Sequence, residues 1–275
     1  MTTRAKRKAR QDRISRTITS VAMVLLMIFV FIPVIWMILT AFKTEHEALA
    51  IPPTLFPAKW TVFGFTYMWE MKPFLLYFMN SFLTAGPTAV MSTLFGGLAA
   101  YSVSRFRFRF RKAFMVLVLL TQMIPGVLLV GPYFRVLNKF GLYDTRIGLI
   151  LGYTAVALPF CTWMLKGYFD SIPRELDEAA LVDGCTRYGA LFNVVIPLAL
   201  PGAVATCVFG FLLAWGDLLW AMSLTSSESV CTITLGIANS VGEYRVVWPA
   251  LMAAALIACI PSVVLYSLRQ RDIVC

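Results

Sequence analysis

The sequence predicts an all-α membrane protein with several spanning helices, and three observations carry this prediction. Of its 275 residues, 59% are hydrophobic and 14% are charged, whereas soluble domains carry about 25% charged residues. Apolar stretches between the ionisable side chains reach or approach the ~20 residues that a helix needs to cross hydrocarbon. These stretches lack the alternation of polar and apolar residues that marks membrane barrel strands. Helices satisfy their own backbone hydrogen bonds in lipid and are therefore the expected spanning element.

The composition also excludes other classes of protein. A chain with this much apolar surface cannot remain solvated as a disordered protein. Six cysteines in 275 residues are too few for a disulfide-stapled secreted scaffold, and we expect them to act as small apolar packing residues. Basic runs could serve nucleic-acid binding, but here they adjoin apolar stretches, as membrane topology signals do.

Six spans follow from the gaps between ionisable side chains. The predicted spans cover residues 18–42, 82–104, 113–134, 147–166, 202–224 and 246–268. The gap over residues 73–104 is too long for one span, so we place Phe74, Tyr77 and Asn80 at the outer interface. The first apolar stretch is longer than a signal-peptide core, and no small-residue cleavage site follows it. We therefore expect an uncleaved first helix after a basic tail of residues 1–16.

The basic residues predict the orientation of these spans. Of the 24 Lys and Arg residues, 17 fall in the N-terminal tail, the second and fourth loops, and the C-terminal segment 269–275. The alternate segments hold the other 7. Because cytoplasmic loops carry the excess of Lys and Arg, both termini are predicted to be cytoplasmic, which agrees with an even number of spans.

Residues that carry enzyme chemistry are scarce. The one histidine, His46, lies in the first outer loop, and His, Cys and Glu nowhere have the spacing of a metal site. The sequence also lacks a glycine-rich phosphate loop and a Ser/His/Asp arrangement. We therefore expect this chain to be no enzyme and to hold neither a metal nor a cofactor.

One acid, Asp217, lies inside a predicted span. An ionisable group in hydrocarbon usually faces a bundle interior or a wet cavity. Asp217 therefore either lines a translocation path or accepts hydrogen bonds from a neighbouring helix or loop near the outer face. The flanking Trp215 and Trp220 favour the second alternative, because tryptophan is common at the membrane interface. Helix breakers also recur inside the predicted spans, at Pro87, Pro125, Pro159 and Pro261.

The fourth loop, residues 170–201, carries five of the 14 acids and has the pattern of a helix. Ser171 is the expected cap, Pro173 fits the first turn, and the acids complement the positive end of the helix dipole. Gly184 is predicted to end this helix. Helical spacing places four residues on one narrow face: Leu176, Ala179, Ala180 and Asp183.

A second helical stretch follows Gly184 and runs over residues 186–195. Pro197 and Pro201 are expected to break it before the next span begins near Gly202. The loop is thus predicted to be a cytoplasmic helix–turn–helix wedge between two membrane helices.

This loop resembles the EAA signature of the permease subunits of prokaryotic ABC importers. The residues that carry the resemblance are Glu178, Ala179, Ala180, Asp183, Gly184, Ile196, Pro197, Leu198 and Pro201. Pro197 follows Gly184 by 13 positions, as in the carbohydrate branch, which includes the maltose permeases. Five further segments are similar to that branch, at residues 80–82, 100–106, 141–145, 157–160 and 215–220. The resemblance runs from about residue 20 to the C-terminus.

The resemblance implies the type I ABC importer permease fold and a mechanism. The wedge would dock into a groove on a cytoplasmic ATPase subunit, where ATP and Mg are bound, and would tilt the membrane helices as two ATPases close. An extracytoplasmic binding protein would deliver the solute, and a second permease chain, a different one or a second copy, would complete the path. The implied coupling residues are Leu176, Glu178, Ala179, Ala180, Asp183, Gly184, Ile196 and Pro197. The alternative is an amphipathic loop helix that only closes the bundle.

Two positions depart from the family pattern. Cys185 stands where members more often carry alanine, which is a small change. The given sequence ends at Cys275, where relatives often continue toward the ATPase, so the sequence leaves open whether the C-terminus contacts the ATPase.

The solute itself is only weakly marked in the sequence. Aromatic and hydrogen-bonding side chains suit a sugar path, and the candidates, each with packing as its alternative role, are Asn80, Gln122, Tyr153, Trp163 and Asp217. Within the predicted spans the one basic residue is Lys166, at the end of the span 147–166, which favours a neutral solute over a glycerol phosphodiester. An ion-driven secondary transporter would need internal repeats and intramembrane ion ligands, and a membrane-embedded enzyme would need catalytic groups.

Overall fold

The computed structural model describes residues 3–241 and 246–273, with side chains over residues 15–241 and 246–268. Throughout these ranges the regular elements are helical, as the sequence predicts. The first seven helices are α1 (Thr3–Ala41), α2 (Glu45–Ala48), α3 (Phe63–Met71), α4 (Phe74–Arg105), α5 (Arg111–Gln122), α6 (Gly126–Lys139) and α7 (Arg146–Ser171). The remaining helices are α8 (Glu175–Val182), α9 (Arg187–Ala190), α10 (Ile196–Gly216), α11 (Leu219–Leu224), α12 (Ile233–Val241) and α13 (Trp248–Ile273). A π-helical segment, Leu191–Val195, joins α9 to α10, and a short 3₁₀ turn covers Glu228–Val230.

Helices α4, α7 and α10 form the core of the larger of two compact units, which also holds α5, α6, α8, α9, α11, α12 and the end of α13. Small residues let these helices approach closely, as in other membrane bundles. A Cβ atom at Gly96 on α4 would lie 3.1 Å from Cys161 on α7, and one at Gly210 on α10 would lie 2.8 Å from the Ser92 hydroxyl.

The core of this unit is partly polar. Four residues spaced by one helical turn on α4 are fully buried, namely Asn80, Thr84, Thr88 and Ser92. The hydroxyl of Thr84 donates to the Asn80 carbonyl, 2.9 Å away, and that of Ser92 to the Thr88 carbonyl, 2.7 Å away. These bonds within the helix satisfy the buried hydroxyl groups of Thr84 and Ser92.

The smaller unit contains α1 to α3 and the beginning of α13. Gly64 on α3 approaches two backbones so closely that a Cβ there would lie 2.5 Å from the Pro249 carbonyl oxygen and 2.9 Å from that of Ala41. The Lys43 ammonium donates to the carbonyl of Thr54. Glu47 accepts from the backbone N–H of Ala58 at 2.6 Å, and this bond helps to lower the pKa of its carboxyl group.

In the part of the chain that the structure describes, five helices are long and apolar enough to cross a membrane, and a sixth span results if α5 and α6 count together. These two helices meet at an angle of 98°, so the predicted span over 113–134 is not one straight helix. The reason lies at Pro125, which disfavours helical backbone at the preceding Ile124. Pro87, Pro159 and Pro261, in contrast, lie within continuous helices.

The predicted break at Pro197 and Pro201 is wrong. The helical path continues from Arg187 to Gly216 through the π-helical segment, where the N–H of Ile196 donates to the carbonyl of Leu191 five residues earlier. A π turn is one of the local adjustments that accommodate the missing N–H and the bulk of proline in a membrane helix. Two further helix ends differ from the predicted spans: α4 already begins at Phe74, and α10 ends at Gly216.

Some sequence predictions concern residues beyond this description. Arg245 and Cys275 lie outside the described residues, and the side chains of the N-terminal basic tail up to Arg13, and of Arg269 and Arg271, are not described either.

Candidate functional site

The candidate site is the loop of residues 172–195 that joins α7 to α10. Its first helix, α8, has Glu175, Asp177 and Glu178 in its first turn, where negative charge stabilises the helix dipole. The predicted cap at Ser171 is wrong, because Ser171 is still the last residue of α7 and its hydroxyl donates to the Tyr168 carbonyl, 2.7 Å away.

The turn after α8 is a Schellman motif. The N–H of Cys185 donates to the Ala180 carbonyl at 3.0 Å, and the N–H of Gly184 donates to the Leu181 carbonyl at 3.2 Å. Gly184 has a φ of +87°, a left-handed conformation that glycine adopts without steric cost. The prediction that Gly184 ends the helix is therefore confirmed.

The second part of the wedge starts at a capped helix end. The hydroxyl of Thr186 accepts a hydrogen bond from the N–H of Gly189 at 3.1 Å, which makes Thr186 the N-cap of α9. Beyond α9, Leu191 and Val195 are buried with Leu165, Phe169 and other residues of α4, α7 and α10 in one apolar cluster. The loop is thus continuous with the core of the bundle.

The four residues predicted on one face of α8 do not share one environment. Ala180 is 7% exposed, whereas Leu176 is 40% exposed and Ala179 and Asp183 are also exposed. Ala180 is covered because α8 packs back on α9 and the π-helical segment. The predicted narrow face is therefore corrected: Ala180 supports the loop from within, and the accessible surface is formed by its neighbours.

The other predicted coupling residues are accessible to different degrees. Glu178, Gly184 and Pro197 are exposed, and Ile196 is half-buried. Val182, at the C-terminal end of α8, is 88% exposed. An exposed acid, an alanine and an apolar side chain on one short helix can together meet a partner surface that offers a base and an apolar groove.

A cavity of about 190 Å³ opens between the end of α4, α8 and α9. Its lining residues are Tyr101, Arg105, Phe106, Arg174, Asp177, Glu178, Leu181, Arg187 and Ala190. The Arg187 guanidinium carbon lies 5.4 Å from the centre of the Phe106 ring, within cation–π range. Three arginines and two acids therefore meet at the base of the wedge.

From the sequence, Arg105 and Arg174 count toward the topology signal, and no partner is predicted for either. The structure places both against the loop, with the Arg105 Nε 2.6 Å from an oxygen of Asp177 and an Arg174 nitrogen 2.6 Å from the Ser104 carbonyl. The one available signal is the position of Arg105, which is the first charge after an uncharged stretch of α4. That signal does not identify its partner, because Asp177 lies 72 positions further along the chain.

Two of the candidate solute-path residues serve the fold. The Asn80 amide nitrogen donates to the carbonyls of Ser229 and Cys231 at 3.0 and 2.9 Å, and the side chain is fully buried. An oxygen of Asp217 accepts from the N–H groups of Trp220 and Ala221 at 2.8 and 3.4 Å and so caps α11.

The other three candidates lie in different surroundings. Tyr153 is fully buried with its hydroxyl facing the Asp217 carboxylate, so the structure brings these two together. Gln122 is exposed and donates to the Val156 carbonyl at 3.3 Å, and Trp163 is 52% exposed. Among the described residues, no group of three or more His, Cys, Asp or Glu side chains could hold a metal ion.

The chain is similar to known proteins over most of its length. Residues 92–271 match the model of a family described as "Binding-protein-dependent transport system inner membrane component". The chain is 36% identical to the sulfoquinovosyl glycerol transport system permease protein of Agrobacterium fabrum, over 88% of this chain and 85% of that one. It is 30% identical to the trehalose/maltose transport system permease protein of Thermococcus litoralis, over 96% of each.

A solved structure has the same fold. It is a chain of a bacterial ABC transporter involved in the import of the acidic polysaccharide alginate, with a TM-score of 0.83 and 21% identity. The match covers 95% of this chain and 97% of that one.

Proposed function

Because this chain belongs to the family of binding-protein-dependent transport system inner membrane components, we propose that it is the permease subunit of an ATP-driven carbohydrate importer. It is a multi-pass protein of the prokaryotic plasma membrane. The observation that carries the proposal is the family match across residues 92–271, which includes the whole wedge with its Gly184 turn. The carbohydrate class rests on the relatives, which are permease proteins of transport systems for sulfoquinovosyl glycerol and for trehalose or maltose, and of a diacetylchitobiose uptake system of Streptomyces coelicolor that is 32% identical over 98% of this chain.

The proposed topology has six spans and cytoplasmic termini. The bent pair α5–α6 supplies one of the six, and the excess of Lys and Arg in alternate loops supports the orientation. With this orientation α8 and α9 lie on the cytoplasmic side, next to the basic run at 105–112.

The proposed partners follow from the same mechanism. Two cytoplasmic ATPase subunits, which bind ATP and Mg, would contact the wedge, and an extracytoplasmic binding protein would deliver the solute from the other side. A second permease subunit would complete the path. We assign ATP hydrolysis to these partners, because the family of this chain is one of transport permeases.

We assign the coupling contact to exposed residues of the wedge. Glu178 can pair with a base in the ATPase groove, since a carboxylate at a protein surface is available for charge-assisted hydrogen bonds. Ala179 lets the partner approach closely, and Gly184 permits the turn that leads into α9. Ala180 and Ile196 would support this surface from behind, with Leu176, Asp183 and Pro197 around it.

The coupling assignment can be tested by reversing one charge in the reconstituted transporter. Glu178→Lys should abolish co-purification of the ATPase subunits or the ATP hydrolysis that the loaded binding protein stimulates. Glu175→Lys is the matched control, because Glu175 is also exposed and lies in the same first turn. Equal stimulated hydrolysis in both variants would refute the role of Glu178.

The solute class requires a separate experiment. The cognate binding protein would be titrated with trehalose, maltose, diacetylchitobiose and a sulfoquinovosyl glycerol, followed by uptake of each ligand into proteoliposomes. ATP-dependent uptake of a sugar that persists when a protonophore collapses the proton gradient is the expected result. Uptake that requires the gradient instead would indicate a secondary transporter, an alternative that the family match does not favour. Uptake of a glycerol phosphodiester but of no sugar would contradict the carbohydrate class.

A further inference from the structure

We propose that Arg105 is a positioning residue that ties α8 to the ends of α4 and α7, so that a displacement of α8 moves all three helices together. The inference rests on the proposed function, in which α8 receives the motion of the ATPase. It goes further by naming the contact that passes this motion into the bundle.

Arg105 holds two segments at once. Its Nε lies 2.6 Å from an oxygen of Asp177 on α8. Its two terminal nitrogens each donate to the carbonyl of Ile172, between α7 and α8, at 3.2 Å. The planar guanidinium group holds its two terminal donors in a fixed fork, so the side chain sets the direction of the linker through Ile172, and its ion pair with Asp177 holds α8.

The pair lies in a shielded environment. The Arg105 side chain is 7% exposed and that of Asp177 is 16% exposed. Exposed ion pairs contribute little because water and salt screen them, whereas breaking a buried pair leaves an uncompensated charge. Separation of Arg105 from Asp177 is therefore strongly opposed, which is the property that a mechanical link requires.

A second set of bonds ties the same helix ends together. Arg174, just before α8, donates to the carbonyl of Ser104 at 2.6 Å. The hydroxyl of Ser104 in turn donates to Asp170 at 2.6 Å, and Asp170 pairs with Lys166 on its own helix. Adjacent residues 104 and 105 of α4 thus contact the end of α7, the linker and α8.

The neighbouring arginines provide an internal comparison. Arg107 and Arg109 belong to the same basic run as Arg105, and both are exposed. A role in membrane orientation alone would make the three residues equivalent, since such a signal depends on the number of positive charges near the span. The buried contacts of Arg105 therefore indicate a role that its neighbours do not share.

The test follows the response to nucleotide along the chain. The complete transporter, including its ATPase subunits and second permease chain, is placed in lipid nanodiscs. Two states are compared: one without nucleotide and one trapped with ATP and vanadate. Hydrogen–deuterium exchange is measured in peptides from α8 and from the last turns of α4, residues 96–104. The variants are Arg105→Gln, Arg105→Lys and Asp177→Asn, with Arg107→Gln as the matched control.

In the wild type and in Arg107→Gln, trapping should change exchange in both α8 and the end of α4. In Arg105→Gln and Asp177→Asn the response of α8 should remain, because the ATPase still engages the wedge, and the response of α4 should be lost. Arg105→Lys keeps the positive charge but lacks the planar guanidinium group, so this variant should lose part of the α4 response. A merely stabilising role would raise exchange in both states without removing the nucleotide response.

An α4 response in Arg105→Gln and Asp177→Asn as large as in the wild type would overturn the inference. If Arg105→Gln fails to assemble, Asp177→Asn and Arg105→Lys decide in the same way, because each weakens a different part of the contact. Failure of the proposed function has another signature: the ATPase subunits would not co-purify with the wild-type chain.

Discussion

The Nε of Arg146 donates a hydrogen bond to the amide oxygen of Asn80 over 2.8 Å. The amide nitrogen of Asn80 donates to the carbonyls of Ser229 and Cys231, and a second nitrogen of Arg146 donates to Ser229 as well. A single buried side chain on α4 therefore connects the start of α7 with the loop between α11 and α12.

Replacement of Asn80 by alanine should destabilise the folded permease. It removes the acceptor of the Arg146 Nε and the amide donor to the carbonyls of Ser229 and Cys231, at a cost of about 1–3 kcal/mol for each buried group left unsatisfied. Thermal unfolding of the detergent-solubilised complex should shift to a lower temperature than in Met79→Ala, a control at the adjacent, 51% exposed residue. Equal transition temperatures in the two variants would contradict the conclusion that the hydrogen bonds of Asn80 stabilise the fold.

Asp144 should contribute stability that depends on pH. An oxygen of its carboxylate accepts from the N–H groups of Ser226 and Ser227 at 2.8 and 3.0 Å. Partial burial raises the pKa of Asp144, but these hydrogen bonds together outweigh that effect and hold the pKa below its ordinary value of 3.8. Because the pKa is lower in the folded state, the contribution is present above pH 3.8 and is lost as the pH falls through the folded-state pKa.

The matched variant for this effect is Asp144→Asn. Asp144 has a φ of 58°, and asparagine tolerates this left-handed conformation, so the change removes the charge and leaves the backbone unstrained. The wild type should unfold at a higher temperature than the variant at neutral pH, and the two should converge in acid. A temperature difference that stays constant down to pH 3 would exclude the carboxylate as its source.

Substitution of Gly184 by alanine should loosen the turn of the wedge. No atom lies within 4 Å of the Cβ position, so the effect comes from the left-handed backbone, which costs other residues roughly 1–2 kcal/mol. Protease cleavage within residues 175–190 should become faster. Gly189→Ala is the control in the same loop, because Gly189 lacks a positive φ and its Cβ would make ordinary contacts at 3.5 Å. Faster cleavage in both variants would assign the effect to the loop in general.

Substitution of Gly202 by alanine should disturb the contact between α7 and α10. Its Cβ would lie 2.2 Å from the ring of Tyr168, and such overpacking costs about 1–3 kcal/mol. The solubilised complex should therefore unfold at a lower temperature. The second substitution Tyr168→Ala should recover part of this loss, whereas Gly167→Ala, at an open position, should have little effect. A loss that the second substitution leaves unchanged would show that the Tyr168 ring is not the obstacle.

The features predicted correctly from the sequence depend on local interactions. Gly184 ends α8 because a left-handed turn requires a residue without a Cβ, and no distant contact changes that requirement. Pro197 was expected to break a helix on the same local grounds. It does not, because the π-helical segment before it alters the hydrogen-bond register, which depends on how Leu191 and Val195 pack into the core.

Hydrophobic content and the spacing of charges by themselves determined that this chain is a helical membrane protein, and the EAA pattern identified its family. Only the tertiary structure decided the role of individual polar residues. Asn80, a candidate for the solute path, is a brace in the fold, and Arg105, one of several topology charges, reaches Asp177 on α8. Partners separated by 72 residues meet only when the helices pack, since neither spacing nor composition encodes which buried charge will neutralise which.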